Sequence, residues 1–257
     1  MAMTCASQSR TILPALGLLV AVLLASCGGG EPAAAKLHIY AAASLTEVVS
    51  DLSGSFDGAT TANFGSSSDL ARQIEDGAPA GVYITAGRTW SDYLVGKGLV
   101  EGEPVVIARN SLVCVAPADS ALKIRGPVDL LHRPLPTNKI AIADEGVPAG
   151  DYARESLATF GVLEPMKHLL VGQKDVRAVL RAVELGEVDA GFVYATDARA
   201  AKVIVLCELD PTSHKPVEYL ALIPKSAPDK ETARAFLQHL QSDKAREALK
   251  ARGFTLP

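Results

Sequence analysis

No run of lysine or arginine occurs anywhere in the 257 residues, and the chain is acidic, with a net charge of −4. Without a basic patch or stripe there is no electrostatic footprint for a polyanion, which excludes nucleic acid as a partner. Cysteine is scarce too: of four, only Cys114 and Cys207 lie beyond residue 27. Two cysteines so far apart make no metal-ligand motif. Whether they pair or remain buried thiols in strands depends on a geometry that spacing does not fix. Long apolar runs are missing apart from Ile12 to Ala25, which is too short for a membrane span and ends in small residues, the pattern of a cleaved export signal. There is no internal repeat and no low-complexity stretch beyond residues 28–35.

Arg10 supplies the basic start of that signal, and Leu24-Ala25-Ser26-Cys27 resembles a bacterial lipobox, in which cleavage precedes the cysteine and the cysteine is acylated. The segment Gly28-Gly29-Gly30-Glu31-Pro32-Ala33-Ala34-Ala35 reads as a flexible tether. The expectation is a signal over 1–26, a lipidated Cys27 and tether over 27–35, and a protein held to a membrane by its lipid in the periplasm or cell envelope. Loss of Arg10 leaves 24 basic and 29 acidic side chains, a net of −5. Any anion bound here must be held by local dipoles and not by a general positive field.

From Lys36 onward, short apolar runs alternate with amphipathic helical stretches. Leu37 to Ala41, Gly81 to Ala86, Ser111 to Ala116, Lys139 to Ala143, Asp189 to Tyr194, Val203 to Cys207 and Val217 to Ile223 read as buried strands. Leu45, Val48, Val49, Leu52 and Phe56 recur at helical spacing, as do Val176, Val179, Leu180 and Val183. This alternation predicts an α/β protein with mostly parallel sheets covered on both faces. The Pro/Gly-rich stretch from Ala116 to Pro136 breaks the rhythm and predicts two domains, 36–112 with 222–257, and 113–221. Two helices around Ala233 to Leu240 and Ala245 to Leu249 would close the first.

Polar or small residues mark several strand-to-helix junctions, where ligands of open α/β sheets bind and where unpaired N–H groups suit an anion. Ser44 and Glu47 stand in capping-box spacing, which alone says only that a helix is capped. Ser66-Ser67-Ser68 offers three hydroxyls where a cap needs one, a bound acceptor or a polar turn. Val147-Pro148-Ala149-Gly150 opens a helix with small residues, and Asp175 is an ordinary N-cap before Val176. Tyr194 ends a strand, where its hydroxyl reaches either a cleft or the surface.

The segments Ala41-Ala42-Ala43-Ser44-Leu45-Thr46, Ser66 to Glu75, Gly77-Ala78-Pro79-Ala80, Val147 to Gly150, Asp175-Val176-Arg177 and Val193-Tyr194 follow one another as in the periplasmic molybdate-binding protein family, which the chain resembles from Lys36 to Phe254. The resemblance implies a two-domain periplasmic-binding-protein fold of type II with the ligand in the cleft. It implies an oxyanion, molybdate or tungstate, held without a cation: by hydroxyls of Ser44 and Ser67, backbone N–H groups of Ala149 and Val176, and the Tyr194 hydroxyl. It also implies a non-enzymatic monomer without cofactor, molybdenum bound only as the oxyanion, and delivery to an ABC permease. Two departures stand out. Gly81 replaces the aspartate usual before the third strand, and Gly87 a commonly polar residue after it, which touches the support of the cleft more than the substrate class.

Two rival readings follow. A sulfate-like or small organic anion would use the same helix starts. A secreted serine hydrolase would use Ser66, Ser67 or Ser68, but Gly65-Ser66-Ser67-Ser68-Asp69 lacks the second glycine of a G-x-S-x-G elbow and no histidine lies in a triad context.

Overall fold

The computed structural model describes residues 36–257. The signal, Cys27 and the tether lie outside the described residues. The first sheet has the order β2 (Thr60–Gly65), β1 (Leu37–Ala42), β3 (Val82–Thr85), β10 (Val217–Pro224) and β4 (Val100–Asn110). The second has the order β7 (Leu170–Gln173), β6 (Ile140–Ala143), β8 (Ala190–Tyr194), β5 (Leu112–Pro117) and β9 (Val203–Glu208). Helices α1 (Thr46–Gly54), α2 (Ser67–Glu75), α3 (Arg88–Gly96), α8 (Lys230–His239) and α9 (Asp243–Ala251) follow strands of the first sheet. Helices α4 (Pro148–Thr159), α5 (Leu163–Met166), α6 (Val176–Glu184) and α7 (Ala195–Arg199) follow strands of the second. The chain is thus a two-domain α/β protein. Among the described residues no helix is long and apolar enough to cross a membrane.

The sheets are mixed and not mostly parallel. In each, four strands run one way and one runs against them, β10 between β3 and β4 and β5 between β8 and β9, so that half of the strand pairings are antiparallel. Each reversed strand is the first after a crossover between the sheets: the chain leaves between Asn110 and Leu112 into β5 and returns between Glu208 and Val217 into β10. Since β10 lies wholly in the first sheet and Leu112 in the second, the return precedes residue 222 and the exit precedes residue 112.

Three strands were not legible as apolar runs: β2, β4 and β7. All are edge strands, and β2 and β7 have no fully buried residue. The inner strands carry the apolar signal because both faces are covered. In β3, Val82 and Ile84 enter one hydrophobic cluster while Tyr83 joins Leu70, Ile74, Trp90 and Leu94 under α2 and α3.

Two glycines set how close helices come to the second sheet. A Cβ at Gly191 on β8 would stand 2.7 Å from Val183 Cγ2 of α6, and one at Gly150 would stand 2.1 Å from the Ala143 carbonyl oxygen ending β6. Gly150 thereby lets the start of α4 sit on the end of β6, and Gly191 lets the later turns of α6 lie close on β8. On β5 and β9, Cys114 and Cys207 are direct cross-strand neighbours, both as free thiols, with Cys114 buried and Cys207 half-buried.

Candidate functional site

Just past the carboxyl ends of β1, β2, β3, β6, β7 and β8, six chain segments enclose one small cavity. Ala43 and Ser44, Ser66 and Ser67, and Ala86 come from the first domain; Val147 to Ala149, Asp175 and Val176, and Tyr194 come from the second. All five residues expected at a ligand, Ser44, Ser67, Ala149, Val176 and Tyr194, line it, and each is buried.

The serines of Ser66-Ser67-Ser68 divide the work. Ser66 caps α2 by accepting the Asp69 N–H at 3.1 Å, and its Oγ lies 2.9 Å from Ser68 Oγ. Ser67 Oγ accepts the Ala86 N–H at 3.0 Å, which leaves its own proton to be given away. Its carbonyl accepts the Tyr83 hydroxyl at 2.7 Å, fixing the first turn of α2 to the sheet.

In α4, Pro148 has no N–H, while Gly150 and Asp151 both donate to the Val147 carbonyl. The first-turn N–H left over is that of Ala149. In α6, the Asp175 side chain accepts from Ala178 and its carbonyl from Val179, leaving the Val176 and Arg177 N–H groups. Tyr194 Oη sits 3.5 Å from the Ala86 carbonyl, a contact too long to hold it firmly. Burial holds its pKa well above the ordinary tyrosine value, so the hydroxyl stays protonated and able to donate.

No lysine, arginine or histidine lines the cavity, and its one charged residue, Asp175, is turned into its cap. Arg177, Arg199 and Arg252 line a neighbouring cavity of about 240 Å³ that shares Ser44. The small cavity has a volume of about 20 Å³. That is room for one small group.

Contacts that sequence reasoning missed tie the domains together around it. Trp90 Nε1 of α3 donates to the Gly146 carbonyl at 2.7 Å, and Arg177 of α6 pairs with Glu47 of α1. Asn110, at the crossover, donates to Thr196 Oγ1 at 2.8 Å. Behind Arg177, the fully buried Asp197 has its Oδ1 3.0 Å from Arg177 Nε but out of hydrogen-bond alignment. Burial pushes its pKa up to about 7, against the opposing pull of Arg177. None of these has a local sequence signal, since each joins residues far apart in the chain.

The two departures find places. A Cβ at Gly81 would stand 2.4 Å from Leu37 Cδ1, and one at Gly87 would stand 2.7 Å from the Tyr152 hydroxyl of the opposite domain. Gly87 therefore lets Tyr152 close against the first domain.

A family model described as bacterial extracellular solute-binding protein matches residues 37–255. The chain is 36% identical over 247 residues to the molybdate-binding protein ModA of Haemophilus influenzae, covering 91% of this chain and 96% of that protein. It is 37% identical over 231 residues to the molybdate-binding protein ModA of Escherichia coli, covering 86% and 89%. The periplasmic molybdate-binding protein of Azotobacter vinelandii shares the fold with a TM-score of 0.77 at 24% identity, over 86% of this chain and 100% of that one.

Proposed function

The chain belongs to the bacterial extracellular solute-binding proteins and, within them, to the molybdate-binding proteins, and from that premise we propose that it captures molybdate or tungstate outside the cytoplasmic membrane and hands it to an ABC permease. The observation that carries this reading is the cavity: five donors from two domains around one small, cation-free space.

Burying a dianion is costly unless its lone pairs find donors. Ser44 and Ser67 supply hydroxyls from one side, and Ala149, Val176 and Tyr194 supply two N–H groups and a hydroxyl from the other. First-turn N–H groups also carry the positive end of a helix dipole, which replaces a cationic side chain. Each domain holds only part of the donor set, so the ion bridges them and draws the cleft shut. Trp90 to Gly146 and Arg177 to Glu47 then hold the closed form.

Size sorts the ligands. Molybdate and tungstate are alike, sulfate and phosphate are smaller and leave donors out of reach, and a protonated phosphate also needs an acceptor. Binding is favoured over hydrolysis because Ser66 is committed to capping, Ser68 to Ser66, and no histidine borders Ser67. In this reading Cys27 is acylated and tethers a monomer to the membrane, and no cofactor is needed.

The test is thermal unfolding of the chain from Gly28 onward with molybdate, tungstate, sulfate or phosphate in excess. A ligand at about 1,000 times its Kd stabilises by about 4 kcal/mol, or roughly 8–16 °C for a chain of this size. Shifts with molybdate and tungstate alone are expected; a shift only with sulfate or phosphate would sink the assignment.

A further inference from the structure

Ser44 does not stand alone. Its Oγ lies 3.0 Å from Tyr219 Oη, and Tyr219 Oη in turn accepts Asn110 Nδ2 at 3.2 Å. The Asn110 amide cannot turn over, because its Oδ1 accepts the Ser111 N–H at 2.9 Å while its Nδ2 also serves Thr196. Its direction as a donor toward Tyr219 is therefore fixed. Tyr219 is fully buried on β10, and burial keeps its hydroxyl protonated. With one lone pair taken by Asn110, Ser44 Oγ is the acceptor within reach of that proton, and a proton given to it would free the Ser44 proton for the cavity. The chain runs one way, amide to tyrosine to serine, as the Ala86 N–H to Ser67 does across the site. Successive hydrogen bonds of one sense polarise each other and strengthen the last donor.

We propose that Tyr219 and Asn110 are positioning residues of the oxyanion site, holding Ser44 as a donor into the cavity and so selecting a fully deprotonated tetrahedral anion over one that carries a proton. The proposal rests on the reading that an oxyanion binds in this cavity through Ser44. It also gives the crossover a role in recognition: Asn110 ends β4 where the chain leaves the first sheet, and its amide touches Thr196 of the second domain and Tyr219 of the first.

The experiment is calorimetric titration of the chain from Gly28 onward with sodium molybdate, and with inorganic phosphate at a pH where it is largely monoprotonated. The variants are Ser44→Ala, Ser67→Ala, Tyr219→Phe, and Tyr219→Phe combined with each serine change. Tyr219→Phe should weaken molybdate about 10-fold, the scale of one oriented hydrogen bond. The same loss should recur on top of Ser67→Ala and vanish on top of Ser44→Ala, because the tyrosine acts only through that serine. The molybdate-to-phosphate affinity ratio should fall as well, since a released Ser44 can accept the proton of the phosphate. Asn110→Asp provides a second route: it turns the donor into an acceptor, draws the tyrosine proton away, and should weaken molybdate at least as much. Equal losses of Tyr219→Phe in both serine backgrounds, or an unchanged ratio, would overturn the proposal while leaving the site intact. A wild-type chain blind to molybdate, or a Ser44→Ala variant that binds it unchanged, would overturn the reading of the site and the proposal with it.

Discussion

Ser67→Ala separates the two things the Ser67 hydroxyl does. In the free protein its Oγ is the acceptor for the buried Ala86 N–H, 3.0 Å away. Deleting it orphans that N–H at a cost of about 1–3 kcal/mol, which for a chain of this size lowers Tm by roughly 2–12 °C. In the complex the same hydroxyl donates to the ion, and a hydrogen bond to a charged group is worth about 1.5–3 kcal/mol, a loss of about 10- to 150-fold in affinity. At a molybdate concentration of about 1,000 times the wild-type Kd, a 100-fold loss leaves only about 10 times Kd, and the stabilisation falls from about 4 to about 1.4 kcal/mol. The ligand-induced shift should therefore shrink to about a third of the wild-type shift, on top of a lower starting Tm. Differential scanning calorimetry with and without molybdate reads both quantities in one experiment. A lower starting Tm with a full ligand shift would refute the donor role. A reduced shift with an unchanged starting Tm would refute the account of the Ala86 N–H.

Trp90 is the only tryptophan in the chain and hydrogen-bonds across the cleft, so molybdate should shift its fluorescence to shorter wavelength as the cleft shuts, and Trp90→Phe should weaken binding by about 2- to 10-fold. An emission spectrum indifferent to molybdate would argue against closure at this edge. Asp197 has a folded pKa of about 7, above its ordinary value, so the folded state holds more protons than the unfolded chain between about pH 4 and 7, and stability drains away as pH rises through that window. Asp197→Asn removes the titration, and its Tm relative to wild type should climb from pH 4 to pH 8; a flat difference would show that Arg177 already satisfies the carboxylate. Cys207, half-buried, should be alkylated in the reduced native protein, whereas the buried Cys114 should react only after unfolding, as peptide mass mapping would read.

What could be read from the sequence follows the distribution of burial. Inner strands such as β8, where every residue is buried, leave an apolar run that cannot be missed. Edge strands are less regular: three of the six residues of β2, Thr60–Gly65, are exposed, β4 holds Gly102 and Pro104 at an edge, and β9, expected from its apolar run Val203 to Cys207 to be buried, is an edge strand with no buried residue. The sheets were expected to be mostly parallel because strand-helix alternation dominates the text, but direction is set by the crossovers, and a strand such as β10 reads the same either way. The cavity residues were found because helix starts announce themselves locally: a serine cap, a proline at the first turn, an aspartate cap. Tyr219, Asn110, Trp90 and Asp197 were not found, because each matters through a partner distant in sequence, and a lone tyrosine inside the apolar run Val217 to Ile223 looks like any core residue.

The acidity of the chain and the chemistry of the cavity are consistent once the donors are traced to their sources. A cationic side chain in the cleft would attract any anion and would need its own counter-charge while the site is empty. Arg177 illustrates this, held by Glu47 and set beside Asp197 in the neighbouring cavity. Backbone N–H groups and hydroxyls need no such partner, and their directions are fixed by structure that the empty protein already has. The Ala86 N–H feeds Ser67, Tyr219 lies against Ser44, and Asp175 is turned into the cap of α6. In the proposed site discrimination would then rest on geometry and not on charge: a smaller dianion would bring the same charge to donors held apart by two packed domains, and moving them inward would press Tyr152 further against Gly87.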